Sequence, residues 1–390
     1  MKTKLFFLYS LLTLIAFSAP KQPVKIISVG SRLPKISELE DNITHYEKIA
    51  PFDGIMIHAG FSDVFRKTKF SDRDIASAQA VAGRYRDIPF KKWKYNFLGV
   101  LIDQHKPDWF DDDYWKAVAY NWSLAAKQAK NLKMVGICFD PEGYGVYPVN
   151  SYWKSVWWVK GGGKLKGGAV QPPDLQHTQE EYLKIARKRG RQVGEGIFKA
   201  YPEITLWGFY LWSFGGDLMG AFCNGILEVM PEKARLVDGD EWVSYCAKNE
   251  AAYERMERRN KSGCGMLDKK LSQKHNKQGG LAPAFYLDAY AWPDNSGCLT
   301  PTINNEKSKA RFFRNNFKEA KRKANGGHIW IYGEKNTWFT PPPHKLAKGQ
   351  KPIPSWEEVI PGISKEIFGD KIEEDKKQKK NRTRQTIGNY

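Results

Sequence analysis

The chain has 390 residues, 41% of them hydrophobic, which suits one large domain or two ordinary ones with a substantial core. Its formal charge is +19, which favours anionic partners such as acidic or sulfated glycans, anionic surfaces or nucleic acid. Five cysteines are too few for a disulfide scaffold, and seven scattered histidines without a His-x-His or His-Glu-x-x-His pattern argue against a metal hydrolase.

The first nineteen residues read as a secretory signal: basic Met1-Lys2-Thr3-Lys4, an apolar run from Leu5 to Phe17, then Ser18-Ala19-Pro20. The run is short for a membrane span, and no other long apolar stretch follows. The expected location is therefore secreted or periplasmic, with no membrane contact after cleavage. Setting aside this leader and the last twenty residues leaves +13 on the body, so the positive charge belongs mostly to the folded part.

Strand-like and helix-like runs then alternate. Val24–Gly30 is the first strand, followed by an amphipathic helix over Ile36–Ile49. Phe52–Ala59 and Asn96–Asp103 are the second and third strands. The helix Asp111–Asn131 opens on an acidic run that suits a helix N-terminus. The fourth strand is Met134–Glu142. A long helix, Thr178–Ala200, precedes the fifth strand, Ile204–Phe214. Arg235–Val243 is a weak sixth, and Lys248–Leu271 reads as a helix. The seventh and eighth strands are Ala282–Tyr290 and His328–Glu334, on either side of a basic helix, Glu306–Ala324. Trp356–Ile367 closes the series. Eight alternations predict a (β/α)8 TIM barrel as a single catalytic domain over residues 20–370. Residues 371–390 are charged, poor in apolar side chains and expected to be disordered.

Barrel enzymes draw their site from the C-terminal ends of the strands. Those ends carry His58, Asp103, Asp140 with Glu142, Trp212 and, further on, Asp217, the acids Asp238, Asp240 and Glu241, the trio Tyr286, Asp288 and Tyr290, and the trio Trp330, Tyr332 and Glu334. The loop after the fourth strand adds Trp153, Trp157 and Trp158. Acids and aromatics converging on one rim suit glycoside cleavage, in which one carboxyl protonates the leaving oxygen, a second acts as nucleophile or base, and aromatic faces hold the rings.

The fourth strand carries the sharpest pattern. Along Gly136-Ile137-Cys138-Phe139-Asp140-Pro141-Glu142, alternation places Gly136, Cys138, Asp140 and Glu142 on one face, and Pro141 ends the ladder. Two neighbouring carboxyls resist ionising together, so one keeps a proton. This stretch resembles the fourth-strand signature of family-18 chitinases, Asp-Gly-hydrophobic-Asp-hydrophobic-Asp-x-Glu. Gly136, Ile137, Phe139, Asp140 and Glu142 match, whereas Val135 and Cys138 stand in place of two aspartates. The resemblance implies Glu142 as general acid and Asp140 as its helper, and the two departures weigh against N-acetyl-hexosamine specificity.

The expected function is a secreted glycoside hydrolase acting on a polysaccharide or oligosaccharide, with an anionic sugar among the candidates. Asp288 or Glu334 would be the second carboxylate. Substrate contacts would come from His58, Asp103, Trp153, Trp157, Trp158, Trp212, Tyr286, Tyr290, Trp330 and Tyr332. No metal or cofactor is expected. The alternatives are a non-catalytic glycan-binding barrel, favoured by Val135 and Cys138, and a nucleic-acid or surface-binding protein, favoured by the basic body. Against the latter stand the leader and the lack of a nucleic-acid motif, so no nucleic-acid partner is expected.

Overall fold

A computed structural model describes residues 23–30, 32–101, 108–142, 153, 163–164, 170–171, 176–213, 216–292, 306–342, 353–369 and 371. The strands are β1 (Lys25–Val29), β2 (Gly54–Ile57), β3 (Phe97–Leu101), β4 (Gly136–Asp140), the short pair β5 (Gly163–Lys164) and β6 (Val170–Gln171), β7 (Thr205–Gly208), β8 (Arg235–Asp238), β9 (Gly279–Leu281), β10 (Ala284–Tyr286) and β11 (His328–Tyr332). β5 and β6 pair antiparallel, apart from the main sheet.

The main sheet runs β10-β11-β1-β2-β3-β4-β7-β8-β9, and every pairing in it is parallel. Its two apparent edges, β9 and β10, are separated only by Ala282 and Pro283. They are therefore two halves of one bent strand. The first half pairs with β8 and the second with β11. The Ala282 amide donates to the Asp238 carbonyl at 2.9 Å, and the Trp330 amide donates to the Pro283 carbonyl at 3.1 Å. Pro283 has no N–H to lose from the ladder, so the bend falls where a proline is tolerated. The sheet is closed, and the chain forms a single (β/α)8 barrel.

Alternation along the strands sorts side chains into two layers. Ile26, Ile57, Ile137, Phe139, Ile329 and Ile331 face the surrounding helices. Ile27, Met56, Phe97, Cys138, Trp207, Phe209 and Trp330 fill the barrel itself. Ring packing seals the interior: Phe97 meets Trp207 at 5.1 Å, Trp207 meets His328 at 4.6 Å, and Phe209 stacks on Trp330 at 4.7 Å and 12°. Burial there holds the His328 imidazole down at about 3, with the Arg235 charge adding to the effect.

Local chemistry explains most element starts. The Asp111 carboxylate accepts from the amides of Asp113 and Tyr114 at 2.9 and 3.0 Å, as the acidic run before that helix suggests. Thr178 and Glu181 form a reciprocal capping box at the start of Gln179–Ala200. The helix Asp72–Asp87 is absent from the sequence reading because its buried face consists only of Ala78, Ala82 and Tyr85. Three predicted strands run too far, and the fifth, expected to reach Phe214, stops at Gly208. The sixth stops at Asp238 and gives way to a helix over Glu241–Tyr245, while the seventh stops at Tyr286 and gives way to a helix over Leu287–Ala291.

Gly136 is required by a close approach, since a Cβ there would lie 1.9 Å from the Thr205 carbonyl oxygen of the neighbouring strand. Gly136→Ala is expected to lower stability by about 1–3 kcal/mol through forced separation of β4 and β7. Chemical or thermal unfolding of the purified variant measures this.

Candidate active site at the barrel mouth

The face assignment on β4 holds. Cys138 points into the barrel, while Ile137 and Phe139 point to the helices. Asp140 follows Cys138 on the inner face at the C-terminal end. Its carboxylate accepts the Glu142 amide at 2.9 Å, which fixes the turn that carries Glu142. Trp153 supports the same turn, its indole N–H donating to the Pro141 carbonyl at 3.1 Å.

The residue facing this pair is Glu241, one of the three acids at the end of the predicted sixth strand, though not one assigned a catalytic role there. It lies just beyond β8, after a sharp turn through Gly239 and Asp240. Asp240 adopts the left-handed conformation, φ 45° and ψ 45°, and the Glu241 amide donates to the Phe209 carbonyl at 3.1 Å. The turn is anchored by the buried Asp238 carboxylate. It accepts the amides of Leu211, Trp212, Ser213 and Asp240 and the Ser213 hydroxyl, at 2.8 to 3.1 Å.

Burial pushes the Glu241 carboxyl up to about 8, and the charges of Glu142 and then Asp140 push in the same direction. The Tyr245 hydroxyl donates to Glu241 at 3.0 Å, a smaller effect of opposite sign. Cys138 lies beneath these acids. Burial raises its thiol well above the ordinary value, with Asp140 and Glu241 adding to the rise.

Aromatic side chains line the other side. The Tyr245 ring lies 5.1 Å from Tyr286 and 6.4 Å from Tyr332, nearly parallel to the latter, and Tyr286 lies 5.4 Å from Tyr332. The Tyr332 hydroxyl donates to the exposed Glu334 carboxylate at 2.5 Å. Just beyond β2 the His58 ring places Nδ1 3.2 Å from the Gly99 carbonyl oxygen. A Cβ on Gly99 would come within 2.9 Å of that ring, so the glycine leaves it room. The surrounding rim desolvates the imidazole and lowers its pKa.

The structure corrects several sequence-based assignments. Trp153, Trp212 and Trp330 are fully buried and offer no face to a sugar. Trp153 packs against Phe65, Trp109 and Phe222. Trp212 packs edge-on to His275 behind the barrel. Trp330 fills the interior, and its indole N–H donates to the carbonyls of Ala282 and Gly239 at 2.9 and 3.2 Å. Tyr290 falls on the helix Leu287–Ala291 and is buried against Phe285 and Phe313. Asp288, on the same helix, is buried and accepts the amides of Glu334 and Lys335 at 2.7 and 3.2 Å. It clamps the loop after β11 instead of facing Glu142. Asp103, Trp157 and Trp158 lie outside the described residues. Among the described residues, no group of three or more His, Cys, Asp or Glu could hold a metal ion.

No family model and no curated protein matches the chain. Solved structures similar to it include a family 5 xyloglucanase from Paenibacillus pabuli, 9% identical, covering 89% of this chain and 99% of that one with a TM-score of 0.43. The catalytic domain of the major endoglucanase from Xanthomonas campestris pv. campestris is 12% identical, with coverage of 89% and 95% and a TM-score of 0.39. Morphinone reductase is 10% identical, with coverage of 80% and 82% and a TM-score of 0.37. Likeness at this level carries no argument about activity.

Because the Tyr245 hydroxyl favours the charged form of Glu241, Tyr245→Phe is expected to move the Glu241 pKa upward, and Glu142→Gln to move it downward. Carboxyl infrared bands or side-chain NMR titration of the two variants checks both directions.

Proposed function

We propose that the chain is a secreted glycoside hydrolase that cleaves a polysaccharide or oligosaccharide by carboxylate acid/base catalysis. The observation that carries this reading is Glu241, pushed up to about 8 in a mouth it shares with Glu142 and Asp140. A carboxyl that keeps its proton at neutral pH beside other acids is what protonation of a leaving glycosidic oxygen requires.

This assigns the acid role to Glu241, in place of the one that the β4 pattern suggests for Glu142. Glu142 becomes the second carboxylate, acting as nucleophile or as base toward water. Asp140 positions Glu142 through its amide. Tyr286 and Tyr332 supply ring faces for the sugar, with His58 across the rim. Asp103, Trp157 and Trp158 remain proposed substrate contacts. Glu334, held by Tyr332, is proposed to border the same opening. The +19 charge favours an acidic glycan among possible substrates. Secretion is proposed from the leader, and a disulfide at Cys246 is in keeping with an oxidising compartment.

Glu142→Gln and Glu241→Gln are each expected to lower turnover by about 10²–10⁴-fold while leaving glycan binding intact. Reducing-end release and binding on a glycan panel measure the two effects. Full turnover in both variants would sink the assignment.

The pH dependence has a defined sign. As an acid catalyst Glu241 must be protonated, so activity should fall as pH rises through about 8. Its folded pKa also lies above the ordinary 4.5, so the folded chain holds a proton that the unfolded chain releases. This group's contribution to stability is therefore lost progressively from about 4.5 to about 8 and stays lost above that. Glu241→Gln should flatten that part of the curve of melting temperature against pH.

A further inference from the structure

The turn that delivers Glu241 holds another acid, Asp240, for which the proposed chemistry has no use. Asp240 is 3% exposed, and its Oδ1 is buried with no hydrogen-bond partner among the described residues. Its backbone is left-handed, and its amide donates to the Asp238 carboxylate at 2.9 Å. Its carbonyl accepts the Ser244 amide at 2.9 Å, within the helix Glu241–Tyr245. Glu241 and Tyr245 therefore take their places from the conformation of this residue.

Asp238 and Asp240 are provided for unequally. Four amides and the Ser213 hydroxyl donate to Asp238, so it is the member suited to hold charge. A charge on Asp240 would leave Oδ1 bare in the interior beside a second carboxylate. Among the described residues, Arg259, Cys264 and Cys223 face the pair from neighbouring elements. Arg259, on the helix Glu250–Lys261, donates to the Ser213 carbonyl at 3.0 Å. Burial pushes the Cys264 thiol up to about 11 and raises that of Cys223 well above the ordinary value, so both stay neutral. Burial raises both carboxyls. The donors hold Asp238 back, whereas Asp240 is pushed up to about 7 by burial and then by the Asp238 charge. Arg259 and the Ser213 hydroxyl act the other way on Asp240 without offsetting this.

We propose that Asp240 is a positioning residue for Glu241: it stays protonated beside Asp238, and its ionisation frees the turn and draws Glu241 out of the mouth. An ionised Asp240 reaches water only if the backbone around it rotates, since Oδ1 has no donor where it stands. The consequence for turnover rests on the reading of Glu241 as the acid, whereas the behaviour of the turn does not.

Asp240→Asn in the full chain tests this, because asparagine is the neutral isostere and accepts a left-handed backbone. A raised acid holds a proton in the folded chain that the unfolded chain releases, so its contribution to stability is lost from the ordinary 3.8 to about 7. The variant should therefore melt close to the wild type at about pH 4 and above it at about pH 8. Equal or lower melting at the higher pH overturns the proposal, a lower value marking Asp240 as an anion held by Arg259. A variant that does not fold overturns it too, since a neutral side chain is what the native turn is proposed to hold. The positioning readout is the carboxyl infrared band that Glu241→Gln removes. Through-space repulsion alone predicts that removing the Asp240 charge lowers the Glu241 pKa. Release of the turn predicts the opposite shift. Wild-type Glu241 would begin to lose its proton together with Asp240 at about 7, and the variant would keep it to about 8. An unchanged or lowered Glu241 pKa overturns the positioning role. If both expected results hold and the wild type cleaves no glycan, the turn proposal stands and the hydrolase reading alone fails.

Discussion

The closure of the sheet at Ala282 and Pro283 is the constraint on which the remaining architecture depends. An open parallel sheet would leave unpaired edges at β9 and β10 and spread the strand ends along a line. Bending one strand so that its first half pairs with β8 and its second with β11 removes both edges. It also gathers the strand ends into a ring. Trp330 reinforces the closure, because its indole reaches the carbonyls of Ala282 and Gly239 from inside the barrel. The same bond to Gly239 steadies the turn that delivers Glu241, so closing the barrel and placing the acid are one piece of engineering.

The mouth sets burial against charge. Asp140, Glu142 and Glu241 crowd a space where desolvation favours neutral forms, and Glu241 is the member whose pKa rises to about 8. The buried Asp238 illustrates the other way of handling an acid in a protein interior. Four amides and a hydroxyl satisfy it, so it works as a structural anchor. Asp288 is used similarly by the loop after β11. Carboxylates that resemble each other in sequence thus divide into buried anchors and acids left at the mouth according to what donates to them.

Much of the frame was legible in the sequence. The apolar runs marked all eight barrel positions, and period-two alternation put Cys138 and Asp140 inside and Ile137 and Phe139 outside. The same alternation put Trp330 and Tyr332 on the inner face of β11. What escaped depended on where strands stop. Arg235–Val243 reads as one weak strand ending in Asp238, Asp240 and Glu241, but the left-handed Asp240 breaks it, leaving Asp238 as an anchor and swinging Glu241 and Tyr245 into the mouth. Ala282–Tyr290 reads as a strand with three inward residues, yet a helix begins at Leu287 and turns Tyr290 away. The tryptophans misled for a different reason. Composition reveals that large aromatic faces exist, whereas burial by Phe65, Trp109 and Phe222 is decided by residues far away in sequence.

The sealed interior has a consequence for traffic. With Phe97, Trp207, Phe209, Trp330 and His328 filling the barrel, no lumen among the described residues joins its ends. Whatever enters at the mouth must leave by the same door, and a long chain can only lie across the opening, never thread through it. Residence and exit are then governed by the rim and by the loops that surround it. Selection for one reactant over another would fall to those loops, while the barrel beneath serves as a rigid floor.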